Sequence, residues 1–150
     1  VARVVRIPTE ALVYEMRDEA GRLEMVVLPI EGLGLWGTLY GFIALDGDVR
    51  TIRGLTFYEH KETPGLGGEV DNPRWKALWT GRLAFDDDLT PAIGVVKGPA
   101  GSVTEAPYGV DGLSGATITS RGVTNLLRFW LGPDGLGPYL TRLRGERVSN

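Results

Sequence analysis

Trp36-Gly37-Thr38-Leu39-Tyr40-Gly41-Phe42-Ile43-Ala44-Leu45-Asp46-Gly47 is the stretch on which the reading of the fold turns. Its aromatic and aliphatic residues suit a strand, and the Asp46-Gly47 pair that follows is a strong hairpin signal. Arg50 to Glu59 then continues as the partner strand. Upstream, Ala11 to Met16 and Leu23 to Leu28 read as short strands around the turn-forming Asp18-Glu19-Ala20-Gly21. Downstream, His60 to Val70 is turn chemistry. Asn72-Pro73 next opens a short helix, with Asn at the cap, Pro at the first helical position and Trp75, Leu78 and Trp79 spaced by three and four. Ile93 to Val96 is another strand and Lys97 to Gly115 a loop. Val123, Leu126, Leu127, Trp130 and Leu131 form one apolar helix face, which Gly132-Pro133 ends. Strands first and short helices late predict an α+β fold with a largely antiparallel sheet.

Composition narrows the function. The 150 residues suit one domain, 1–150, and 43% hydrophobic with 23% charged residues is ordinary globular composition. Sixteen Lys and Arg against nineteen Asp and Glu leave a net charge of −3, without the basic surface that nucleic-acid affinity needs. With no cysteine there is no disulfide, thiolate nucleophile or Cys-ligated metal, and one histidine rules out a multi-histidine site in one chain. The longest uncharged run, Gly32 to Leu45, has fourteen residues. A spanning helix needs about 20. The chain starts at Val1 without a signal-like stretch, as expected of a processed product or a piece of something longer. Twenty-two glycines and nine prolines are scattered between the periodic segments, with no linker and no repeat.

Several motifs carry competing readings. Gly32-Leu33-Gly34-Leu35-Trp36-Gly37 matches the G-x-G-x-x-G fingerprint, but these glycines lead into a strand instead of leaving one to open a helix. Asp86-Asp87-Asp88 lacks the spacing of a calcium loop and reads as a solvated turn. His60, between Glu59 and Glu62, is either a general base, a lone ligand or a hydrogen-bonded structural histidine. Asp111-Gly112-Leu113-Ser114-Gly115-Ala116-Thr117-Ile118-Thr119-Ser120 places small and hydroxyl residues where a helix must begin. That is either a Ser/Thr cap with a glycine turn or a site whose free amides suit a phosphate. No Lys follows the glycine, so it is not a Walker loop.

Asp111-Gly112-Leu113-Ser114-Gly115-Ala116-Thr117 resembles the flavinylation motif of the FMN-binding domain family. Further stretches resemble the branch of that family found in sodium-pumping respiratory complexes that pass electrons from NADH to quinone. They are Pro29 to Trp36, Glu62 to Val70, Val96-Lys97-Gly98, and Phe129-Trp130-Leu131-Gly132 leading to Gly137-Pro138-Tyr139-Leu140. The resemblance runs in order along essentially the whole chain.

It implies an electron-transfer domain carrying FMN on the Thr117 hydroxyl through a phosphoester. A separate flavin transferase, with FAD as donor and Mg2+, would install the bond, because a threonine hydroxyl is a poor nucleophile at its own pKa. Asp111 would serve that modification. Leu35 and Trp36 are expected along the isoalloxazine, with Glu62 and Thr63, backed by Gly65 and Leu66, as the other wall reaching polar ring atoms. Lys97 is expected at phosphate or ribityl oxygens. Ser114 and Thr119, beside Gly115 and Ala116, are expected at the phosphate end. No metal site is expected, and redox tuning would come from hydrogen bonds and charge near the ring. The resemblance also implies the other proteins of the complex as partners, an N-terminal membrane helix ahead of these residues and a position on the periplasmic face. Two rivals remain: the homologous branch in ion-translocating ferredoxin:NAD+ oxidoreductases, and a non-redox structural module, which would be colourless. A more distant reading has His60 and Glu62 transferring protons.

Overall fold

The computed structural model describes residues 2–6 and 11–149, so Val1 lies outside them. Five strands form an antiparallel meander: β1 (Ala2–Arg6), β2 (Leu12–Arg17), β3 (Leu23–Leu33), β4 (Thr38–Asp46) and β5 (Ile52–Glu59). The expected α+β class with a largely antiparallel sheet is what forms. A 3₁₀ turn (Gly67–Asp71) and a short helix α1 (Pro73–Ala77) follow, then β6 (Gly94–Val95), β7 (Gly109–Val110), α2 (Thr117–Leu131) and α3 (Gly137–Ser149).

Period-two alternation makes one sheet face apolar and buries it. Val26, Leu28 and Ile30 of β3, Leu39, Ile43 and Leu45 of β4, and Ile52, Leu55 and Phe57 of β5 lie in the core. The α2 stripe of Val123, Leu126, Leu127 and Leu131 is also buried in that core, and α2 packs on β3. Truncating fully buried Leu127 to Ala should cost about 2–5 kcal/mol. Gly32 and Gly122 permit the close approach. A Cβ on Gly32 would lie 2.5 Å from Leu126 Cβ, and one on Gly122 would lie 2.2 Å from the Leu33 carbonyl oxygen. The start of α1 forms as expected, with Pro73 at the first turn and the Asn72 side chain accepting from the Arg74 amide.

Four elements differ from the sequence reading. First, β3 runs past Leu28 through Pro29 to Leu33. Its ladder with β2 ends where Val27 pairs with Tyr14, so the rest of β3 is an edge, where a proline is tolerated. Second, the hairpin expected at Asp46-Gly47 forms, β4 pairing antiparallel with β5, but its connection runs from Gly47 to Thr51. Val49 takes the left-handed conformation (φ 55°) and is fully buried, while the Asp48 carboxylate accepts from the amides of Arg50 and Thr51. Gly47 is required there for space, because its Cβ would meet the Leu23 carbonyl oxygen at 2.2 Å. Third, Gly109–Val110 pairs in parallel with Gly94–Val95, inside the stretch read as loop. Fourth, α3 forms after Gly137. Leu136, Tyr139, Leu140 and Leu143 are all buried and spaced 0, 3, 4 and 7, a helical signal starting behind a Gly-Pro pair. The Tyr139 hydroxyl donates to the buried Glu15 carboxylate, and Arg144 donates to the Val49 carbonyl at 2.8 Å.

Candidate functional site

The site gathers at the start of α2. Gly115, with φ at +69°, turns the chain so that Ala116 takes the N-cap position, where alanine offers no side-chain acceptor. The Ser/Thr cap open at the level of sequence is therefore not made. Among the described residues no side chain accepts from the Thr117, Ile118 or Thr119 amides, so the positive end of the helix stays free. Ser120 faces inward instead, its hydroxyl accepting from the Leu113 amide at 3.2 Å. Thr117 is exposed and its hydroxyl has no hydrogen-bond partner among the described residues.

A cleft of about 660 Å³ opens beside Thr117. Its walls come from the segment after β6, including Val96 and Lys97, and from Asp111 to Gly115 after β7. Lys97 and Arg121 line it, and neither forms an ion pair or hydrogen bond among the described residues. The sequence reading does not include Arg121. The signal for it is a spacing of four from Thr117, which puts both on one face of α2. The Asp111 side chain accepts from the Ala100 amide at 2.9 Å, while its carbonyl accepts from the Trp75 indole at 2.9 Å. Behind this wall lies buried Arg82. Its guanidinium donates to the carbonyls of Leu78, Gly101, Ser102 and Ala106 and so fixes the 101–106 loop.

Leu35, Trp36, Glu62, Thr63, Gly65 and Leu66 do not line this cleft. They belong to a second cluster, joined to the first at α2. Glu62 is only 5% exposed, and both carboxylate oxygens are engaged by protein donors. Oε1 accepts from the Leu35 amide at 2.7 Å and the Thr119 hydroxyl at 2.7 Å, and Oε2 accepts from the Trp36 amide at 2.9 Å. The Glu62 carboxylate is therefore committed to the protein and does not form an open wall. Burial pushes this carboxyl up, but the Thr119 hydroxyl, the two amides and nearby His60 outweigh it and hold it below the ordinary range.

Thr119 is likewise buried and turned to Glu62, away from the phosphate end where the sequence reading has it. The helical period explains this, since Thr117 and Thr119 are two residues apart and point to different faces. Leu35, Trp36 and Leu66 are 47%, 64% and 45% exposed, a concentration of bare apolar surface beside the helix start. Leu66 touches Gly115, whose Cβ would lie 3.0 Å from Leu66 Cδ2. Thr63 and Gly65 are exposed on the same turn, and Gly65 is left-handed (φ +80°).

Other candidates resolve into structure. His60 Nδ1 accepts from the Glu62 amide at 3.0 Å and Nε2 lies 2.6 Å from Asp71, the arrangement of a hydrogen-bonded structural histidine. Asp86 accepts from the amides of Asp88 and Thr90 within its own turn. Gly32 and Leu33 end β3 and Gly34 to Gly37 form the turn into β4, with no helix following, so the dinucleotide reading does not apply. No group of three metal-ligating side chains occurs among the described residues.

The donor set fits FMN. A ligand cleft is typically about 300–1,000 Å³. Here one end offers free helix amides and two cations without an ion-pair partner among the described residues for a phosphate, and apolar side chains stand nearby for a flat ring.

Residues 34–132 match the family model of the FMN-binding domain. The chain belongs to the FMN-binding domain family. Within that family it is similar to proteins named as the C subunit of the Na(+)-translocating NADH-quinone reductase. The relative in Yersinia pestis is 47% identical over 150 residues, which is 100% of this chain and 56% of that protein. The relative in Pseudomonas aeruginosa is 50% identical over 145 residues, 96% of this chain and 55% of that protein. The crystal structure of Shewanella oneidensis NqrC superposes with a TM-score of 0.82 at 38% identity, covering 96% of this chain and 69% of that one. The chain thus spans about half the length of the curated relatives it matches.

Proposed function

We propose that this chain is the FMN-carrying part of the C subunit of a Na+-translocating NADH:quinone oxidoreductase, with FMN bound covalently to Thr117. The observation that carries the reading is an exposed threonine hydroxyl at the uncapped start of α2, on a cleft with two cations, all three without a partner among the described residues. The flavin, once attached, supplies reversible electron uptake and release; the chain binds and orients it. Free amides and the helix dipole favour the negative phosphodiester at Thr117. Lys97 and Arg121 face the same charge. Leu35, Trp36 and Leu66 give the ring an apolar surface, with Thr63 and Gly65 at its margin and Ser114 beside the phosphate.

In the modification a flavin transferase, with FAD and Mg2+, joins Thr117 Oγ1 to the FMN phosphorus. The pyrophosphate bond of FAD breaks, AMP leaves, and the hydroxyl proton is released. Asp111 supports this step by presenting the motif. The partners are the other proteins of the complex. A membrane helix outside these residues would hold the domain on the periplasmic face; no helix among the described residues is long and apolar enough to cross a membrane.

Co-expression with a flavin transferase, followed by intact mass under denaturing conditions, tests the reading. A gain of one FMN less one water on the peptide holding Thr117, absent in Thr117→Ala, is expected. No gain, with the transferase active on a control substrate, overturns it.

A further inference from the structure

Glu62 sits where three segments converge. Its own turn leads into the 3₁₀ segment, and its carboxylate holds the Leu35-Trp36 turn through two amides and the start of α2 through the Thr119 hydroxyl. The chain packs tightly around these contacts. A Cβ on Gly34 would lie 2.2 Å from Glu62 Oε1, and one on Gly67 would lie 2.6 Å from Thr119 Oγ1. Backbone therefore closes on the carboxylate at Gly34 and on its Thr119 partner at Gly67. His60 Nδ1 accepts from the Glu62 amide and fixes the turn that presents it.

Trp36 itself is 64% exposed, and the β3–β4 turn bearing it carries one internal backbone bond, from the Gly34 amide to the Gly37 carbonyl. Its backbone, and with it the root of the indole, is thus held by the Glu62 contact to its amide. Thr119 is two residues from Thr117, so the same carboxylate ties the aromatic turn to the attachment residue's own helical turn.

We propose that Glu62 is a positioning residue that sets where Leu35 and Trp36 stand relative to Thr117, and thereby the pose of the ring tethered there. It never contacts the reacting atoms. The proposal rests on the FMN reading for its purpose, but the clamp exists without the flavin.

The test uses the whole chain in flavin-free and flavinylated forms, with variants Glu62→Gln and Thr119→Val. In the flavin-free form, Glu62→Gln is expected to speed amide hydrogen exchange at Leu35 and Trp36 roughly tenfold or more, the loss of a hydrogen bond to a charged acceptor. Ile43 and Leu45, buried in central strand β4, report the global loss of stability. Leu35 and Trp36 should speed by a larger factor than these two, whereas purely general destabilisation would speed all four by no more than that global factor. In the flavinylated form, flavin emission should rise as Trp36 leaves the ring. Thr119→Val should shift both readouts in the same direction by less, and it decides the matter if Glu62→Gln does not fold. Unchanged exchange at Leu35 and Trp36, or unchanged emission, overturns the proposal. If the wild type accepts no FMN while Glu62→Gln still speeds exchange at Leu35 and Trp36, the function is overturned and the clamp stands; FMN uptake by the wild type with no exchange change in Glu62→Gln does the reverse.

Discussion

The indole N–H of Trp75 donates to the backbone carbonyl of Asp111 at 2.9 Å, tying helix α1 to the first residue of the segment that ends at Thr117. Trp75 also packs edge-on against Trp79, with ring centroids 5.5 Å apart. Its apolar body belongs to the core while its one polar atom holds the cleft wall. Trp75→Phe keeps most of the first role and removes the second. The expected loss in urea unfolding is about 1–3 kcal/mol, because a mostly buried carbonyl loses its donor. A loss below measurement would show that the bond adds nothing.

Arg82 is the next position where a single change should tell. A buried guanidinium bonded only to carbonyls, four of them, is satisfied by geometry and not by an opposite charge. Arg82→Met fills similar space and strands those acceptors, so a loss of about 1–3 kcal/mol is expected. Proteolysis should then cut first within 101–106.

Stability should fall in acid partly through Glu62. Its folded pKa lies below the unfolded value of 4.5, so its contribution is present above that value and is lost as pH falls through the folded one. Stability of Glu62→Gln should therefore be lower near neutrality and converge on the wild type in acid. Parallel pH profiles for the two proteins would contradict this.

Gly34→Ala should reproduce part of that lesion from the opposite side, since the new methyl must displace the Glu62 carboxylate. Overpacking of this kind costs about 1–3 kcal/mol. Thermal unfolding of Gly34→Ala in the Glu62→Gln background should show less than additive loss.

For the phosphate end, free FMN binding to Thr117→Ala isolates the non-covalent contacts. Lys97→Gln and Arg121→Gln should each weaken it, with a shallower salt dependence than the parent. Equal affinity and equal salt slopes would remove both cations from the site.

Much of this is legible in the amino-acid order. Asn72-Pro73 announces α1, the i, i+3, i+4 apolar spacing announces α2, and alternation accounts for most of the meander. The Asp111–Thr117 motif points to the start of α2. What escapes depends on distance in the chain. Glu62 and Thr119 are 57 positions apart, and nothing local says that a carboxylate beside a histidine will be buried by a turn and a helix. The two-residue pairing of Gly94–Val95 with Gly109–Val110 is too short to leave a period. Arg121 and α3 are different: the spacing of four from Thr117 and the 0, 3, 4, 7 spacing of Leu136, Tyr139, Leu140 and Leu143 are both present in the sequence.

Every strand of the main sheet pairs with its neighbour in sequence, so the meander closes through short loops. The cleft is assembled otherwise, from β6 paired with β7 across an intervening loop and from α2 returning to β3. Non-local closures of that kind come late, because loop entropy must be met before contacts reward it. On that argument the meander needs only local closures, whereas the cleft around Thr117 exists only once segments distant in the chain have met.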